Sequence, residues 1–128
     1  MINLGPVGQI HLLVNDIQAA VRFYRDDLGI PFLFDVPPQK MAFFDCGGVR
    51  LFLGEPEANS ELEPGAGSVI YFRVDSCRKA HADMAARGVK FDHEPHIITR
   101  MGGIELWMAF FKDPSGNVLS IMSEEPVT

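Results

Sequence analysis

Apolar and polar positions along this chain follow one pattern, and they follow it twice. Gln9 to Gly29, QIHLLVNDIQAAVRFYRDDLG, starts as a short β-rich apolar run and continues with apolar residues at helical spacing. Ser68 to Gly88, SVIYFRVDSCRKAHADMAARG, repeats that order. The pair Asp16 and Asp75 and the pair Gly29 and Gly88 are each 59 positions apart, so the two copies align without a gap. Met41-Ala-Phe-Phe returns as Met108-Ala-Phe-Phe, in each case followed by a Gly-containing turn and another apolar run. Repetition at a fixed offset is a fold signal in itself.

The first copy predicts a strand over Gln9–Val14, then a helix capped by Asn15 or Asp16, whose side-chain oxygen meets free backbone N–H groups of the first turn. Ile17, Ala20, Val21, Tyr24 and Leu28 form its apolar stripe. Gly29 ends it as a left-handed cap, and Pro31 prevents resumption. Strands follow over Phe32–Val36, Lys40–Asp45 and Val49–Leu53, the last two joined by Gly47-Gly48. Residues 55–67, EPEANSELEPGAG, read as an acidic linker.

The second copy predicts a strand over Ser68–Val74 and a helix capped by Asp75, with Cys77, Ala80, Met84 and Ala85 inward and Gly88 closing it. Further strands are expected over Val89–Asp92, His96–Arg100, Ile104–Phe111 and Val118–Met122. Strand–helix–strand crossovers joined to hairpins imply an α+β fold, two βαβββ modules whose mixed sheets carry helices on one face. Module one spans about 6–54 and module two about 68–123 of a single domain; two such sheets facing each other would enclose a cup.

Composition narrows the function classes. With 128 residues, one domain is expected, and 47% hydrophobic with 22% charged residues is a globular balance rather than a disordered one. A unit of about 60 residues buries too little surface to be secure alone, so the modules should share a core or exchange across a homodimer. A net charge of −6 argues against nucleic-acid and anionic-membrane partners. The start MINLGPVGQ has no signal-peptide pattern, no apolar run is long enough to span a membrane, and Cys46 and Cys77 are neither dense nor in a metal spacing. A cytoplasmic protein with reduced thiols is expected. There is no G-x-S-x-G elbow, Walker loop or G-x-G-x-x-G fingerprint.

Two stretches carry a resemblance. Val14-Asn-Asp16 with Phe23-Tyr24-Arg25-Asp26 and Leu28-Gly29 resembles the opening of the vicinal oxygen chelate superfamily, and Phe111-Lys-Asp-Pro-Ser-Gly-Asn117 resembles its C-terminal signature. That group includes glyoxalase I, extradiol dioxygenases, methylmalonyl-CoA epimerase and the fosfomycin and bleomycin resistance proteins. With the doubled module, the resemblance covers essentially the whole chain. It implies paired βαβββ modules forming an open cup, usually within a dimer, and it leaves open which chemistry the cup serves.

The resemblance also implies where a divalent metal would be held. The four ligand positions fall on Gln9, on Ser68 or Val69, on Phe52 and on Ser120. Only Gln9 is a serviceable donor, since a phenyl ring cannot coordinate and a neutral hydroxyl replaces a carboxylate poorly. No cofactor is therefore expected, and the favoured reading is a protein that binds a small organic molecule in its cup without bond cleavage. The alternatives are a metal-dependent lyase, isomerase or dioxygenase using His11 with His96 or Glu105 as replacement ligands, and metal-free acid–base catalysis by His11. His11 shares a strand face with Gln9, as either a ligand-facing or a packed neutral imidazole. Arg50 shares a face with Phe52, as either an anion anchor or a solvated strand end. Trp107, of one parity with Glu105, is either core or a stacking wall. The candidate ligand-binding set is Gln9, His11, Arg50 and Phe52 in module one, with His96, Glu105, Trp107 and Ser120 in module two.

Overall fold

The computed structural model describes residues 2–3, 5–58, 63–65 and 67–127. Two compact units divide the chain, Met1–Ala66 and Gly67–Thr128. In the first unit the order is β1 (Gln9–Leu13), α1 (Ile17–Arg22), β2 (Phe32–Val36), β3 (Met41–Cys46) and β4 (Val49–Gly54). The second gives β5 (Ile70–Arg73), α2 (Cys77–Ala86), β6 (His96–Met101), β7 (Ile104–Lys112) and β8 (Val118–Pro126). Each unit is thus strand, helix and three strands, and each sheet is mixed. The strand orders are β1-β4-β3-β2 and β5-β8-β7-β6, with the first strand parallel to the last and the remaining pairs antiparallel.

One face of each sheet packs on its helix. In the first unit Leu12, Val14, Ala42, Phe44, Leu51 and Leu53 are buried there. Tyr24 is fully buried with its ring 6.0 Å from that of Phe44. Asp16 caps α1 as the pattern predicts, its Oδ1 accepting from Gln18 and Ala19 N–H. The α-helical hydrogen bonding ends at Arg22 and a π-helical turn, Phe23–Asp27, completes the stripe before Gly29 at φ 73.

Four expectations need correction. The second helix is capped by Ser76, not Asp75: Ser76 is extended and its Oγ accepts from Lys79 N–H at 3.2 Å, so the repeat slips by one residue at the cap. Val89–Asp92 is not a strand. Among the described residues it makes one isolated bridge, Phe91 to Phe111, because Val89 N–H is taken by Met84 in the helix closure. The last strand runs on to Pro126, where the polar end pairs with Ile104–Leu106 and its acidic side chains are met by arginines. Finally, Glu55 belongs to the first unit rather than to a linker. Its carboxylate accepts from Ile17 N–H at 3.0 Å and approaches Lys40 Nζ at 3.6 Å. The expected linker residues 59–62 and 66 lie outside the described residues.

The Phe111–Asn117 turn shows why its residues are specific. Asp113 is buried and its Oδ1 accepts from Ser115 N–H and Asn117 N–H at 2.9 and 2.8 Å, while Oδ2 accepts from Asn117 Nδ2 at 2.8 Å. Gly116 takes φ 86, a conformation an L side chain resists. The turn therefore delivers β8 beside β7 with its buried polar groups paired.

Candidate functional site

The face of the first sheet turned away from α1 carries an uninterrupted row of rings. His11 on β1 is the register partner of Phe52 on β4, Phe52 of Phe43 on β3, and Phe43 of Phe34 on β2. Alternation along each strand sends these four to one face while Leu12, Leu51 and Phe44 go to the other. The ring centroids are 4.0, 4.8 and 4.7 Å apart, with interplanar angles of 6°, 18° and 26°. Stacked rings therefore cross the full width of the sheet, and Phe34 at the edge is 47% exposed.

Polar groups sit beside this row. Arg50 Nε donates to Gln9 Oε1 at 2.8 Å, and the Arg50 guanidinium carbon lies 5.4 Å from the Phe43 ring centroid. The amide orients the guanidinium without neutralising it, because Gln9 is uncharged. His11 is partly exposed, yet the ring lying on Phe52 loses water from one side, and that desolvation lowers its pKa from 6.5. Gly54 makes room for the stack: a Cβ there would stand 3.1 Å from His11 Nε2 and 3.2 Å from Phe52 Cε1.

The second sheet distributes its candidates over both faces. Glu105 and Trp107 lie on the helix side: Trp107 carries Arg78 of α2 at 4.2 Å over its ring, and Glu105 accepts from Arg100 Nε at 2.9 Å. The Trp107 indole N–H is buried with no hydrogen-bond partner among the described residues. His96 and Ser120 lie on the other face, as register partners of Met108 and of Tyr71 and Phe110. Cys77, first residue of α2, is fully buried against Ser123 and Ile121, and burial pushes its thiol up to about 11. It is a packing residue, with helix-terminus activation outweighed by desolvation.

At three of the four positions where the resemblance places metal ligands, the side chains are otherwise engaged. The Gln9 amide oxygen accepts from Arg50, Phe52 is stacked between His11 and Phe43, and the Ser120 hydroxyl is fully buried, 3.1 Å from the carbonyls of Ala109 and Ile121. Among the described residues no three His, Cys, Asp or Glu side chains gather to hold an ion. This donor set does not fit a divalent metal, and Arg50 beside Gln9 would repel one.

A cavity of about 520 Å³ opens on the helix side of the first unit, lined by Val21, Arg22, Asp35, Lys40 and Glu55 among others. Sequence reasoning missed it because Glu55 was assigned to a linker. The signal that existed was local: an acidic residue directly after β4, placed to meet the start of α1.

The family model for the glyoxalase/bleomycin resistance protein/dioxygenase superfamily matches residues 7–121. An uncharacterized Bacillus subtilis protein, YraH, is 31% identical over 123 residues, covering 88% of this chain and 94% of its own. Among solved structures, a lactoylglutathione lyase from Agrobacterium tumefaciens superposes with TM-score 0.72 at 23% identity, over 94% of each chain. A superfamily member from Sphaerobacter thermophilus gives 0.74 at 24% identity, over 94% of this chain and 98% of that one. With the family model spanning most of its length and its doubled βαβββ order, this chain belongs to the glyoxalase/bleomycin resistance protein/dioxygenase superfamily.

Proposed function

We propose that this protein binds a small planar organic anion against the helix-free face of its first sheet and does so without the divalent metal of its enzymatic relatives. One observation carries the reading: the four-ring row His11–Phe52–Phe43–Phe34 lies beside a guanidinium that is oriented by a neutral amide and, among the described residues, is not paired with a carboxylate. Stacked rings offer an apolar platform for a flat ligand, and Arg50 supplies a forked donor for a carboxylate at its rim. The lowered pKa of His11 keeps its imidazole neutral near pH 7, so it adds stacking surface without a second charge. Phe52 stands where a metal enzyme would need a donor, so the ring row replaces that chemistry.

The test uses 2-naphthoate and the neutral 2-naphthalenemethanol as probes, followed by calorimetry and by aromatic NMR shifts. Naphthoate is expected to bind with shifts at Phe43, Phe52 and His11. Arg50→Gln should weaken naphthoate about tenfold, the worth of one charge-assisted hydrogen bond, and leave the neutral probe unchanged. Equal naphthoate binding by the parent, Arg50→Gln and Phe52→Leu would overturn the proposal, as would stoichiometric binding of Ni²⁺, Zn²⁺, Mn²⁺ or Fe²⁺ that Gln9→Ala abolishes.

A further inference from the structure

The helix-free face of the second sheet gathers a different kind of side chain. His96 on β6, Met108 on β7 and Met122 on β8 are successive register partners across three adjacent strands. Directly opposed residues place their Cβ atoms about 5 Å apart, within reach of one another's termini. His93, just before β6, joins the same group: its ring lies 4.6 Å from that of His96 and 5.8 Å from that of Phe110, which stands two residues from Met108 on the same face. Two imidazole and two thioether side chains thus share one surface.

A shared backbone carbonyl orients both imidazoles. His93 Nδ1 lies 2.9 Å and His96 Nδ1 3.4 Å from the same acceptor, the backbone carbonyl of Glu94. A carbonyl can only accept, so Nδ1 is the donor in each contact and Nε2 is the ring nitrogen left to face a ligand. Donation of the second ring N–H to a carbonyl is the arrangement that orients metal-binding histidines. Arg73, register partner of Met122, shares this face, and its charge is met by Glu124 at 2.8 Å. Imidazole nitrogen and thioether sulfur form a soft donor set with no carboxylate, one that disfavours Mg²⁺, Ca²⁺ and Mn²⁺ and suits a soft monovalent ion.

We propose that this face binds a soft monovalent cation, Cu(I) or its redox-inert analogue Ag(I), through His93, His96, Met108 and Met122. The site lies within the second unit and is independent of the organic-anion reading for the first.

Silver nitrate is the probe, titrated into the full chain carrying Cys46→Ser, since Cys46 otherwise offers a half-buried free thiol. Methionine methyl and histidine ring NMR signals report each donor separately. The expected result is that the Met108 and Met122 methyls and both histidine rings shift together and saturate at one equivalent, while Met101, 72% exposed, does not move. Met108→Leu conserves volume and should weaken binding at least tenfold. Parallel shifts of Met101 with Met108, unchanged affinity in Met108→Leu, or no shift at one equivalent would each overturn the site.

Discussion

Replacing Phe52 by Leu tests whether the ring row is an energetic unit or a coincidence of strand register. Phe52 stands second in the row, touching His11 at 4.0 Å and Phe43 at 4.8 Å. Leu retains a branched apolar side chain on a half-buried position, so the transfer term changes little while both stacking contacts are lost. An aromatic pair contributes about 0.5–1.5 kcal/mol beyond its buried area. Two pairs sum to about 1–3 kcal/mol, and partial exposure on this face puts the expected loss near the lower half, about 1–2 kcal/mol. In urea this appears as a lower midpoint with an unchanged slope, because compactness is preserved. Measurement at pH 8 keeps His11 neutral in both folded and unfolded chains.

The same variant makes a second, independent readout available. Desolvation by burial lowers the His11 pKa, and Phe52 covers one side of the ring, so removing Phe52 should return water there and let the histidine titrate closer to 6.5 in NMR. A stability loss under about 0.3 kcal/mol together with an unmoved His11 titration would refute the reasoning. A loss without the His11 change would place the energy in the Phe43 contact alone.

Two further predictions follow from named groups. Because the folded pKa of His11 lies below its unfolded value of 6.5, the unfolded chain binds more protons in between; its contribution to stability is present above pH 6.5 and is lost as pH falls through that window. His11→Gln should flatten this part of a stability-versus-pH curve, and an unchanged slope would contradict the assignment. Asp113→Ala strands the Ser115 and Asn117 backbone N–H groups and the buried Asn117 amide; at about 1–3 kcal/mol for an unsatisfied buried group, a loss of about 3 kcal/mol is expected by thermal or urea unfolding, and a loss below 1 kcal/mol would mean the turn is not held by this carboxylate.

How much of this was legible in the sequence depends on the range of the interaction. The element order, the Asp16 cap, the Gly29 stop and the alternating faces of β3 and β4 are local, and periodicity carries them. The cap at Ser76 was not legible because Asp75 and Ser76 are both good caps and only the helix start, set by packing of Cys77 on Ser123, decides between them. Glu55 was misread since its partners, Ile17 N–H and Lys40, are distant in sequence. On the candidate site, the resemblance put Gln9 and Phe52 at ligand positions, and parity placed His11 and Arg50 on their faces. The continuation of the row to Phe43 and Phe34 depends on cross-strand register, which a single strand's pattern does not contain. Likewise, the parity shared by Glu105 and Trp107 was readable, whereas the side facing the helix was not.

Phe52 and Ser120 occupy equivalent points in the two repeats, at the positions where the resemblance would place metal ligands, and their surroundings differ. On the first sheet the substituted side chain is large and completes a stack. On the second it is small, and its register neighbours are Tyr71 on β5 and Phe110 on β7. Those two strands flank β8, so at about 4.8 Å per strand their backbones stand nearly 10 Å apart. Yet the Tyr71 and Phe110 rings approach to 5.8 Å between centroids, edge to face, which requires both to lean over Ser120. A serine permits that approach and satisfies its own hydroxyl on backbone carbonyls; a glutamate there would thrust an unpaired charge between two rings at a fully buried position, a cost that only a bound cation or a proton could offset. Both faces therefore carry aromatic contact by opposite means, the first with a ring at this point and the second with a side chain small enough to let two rings meet over it.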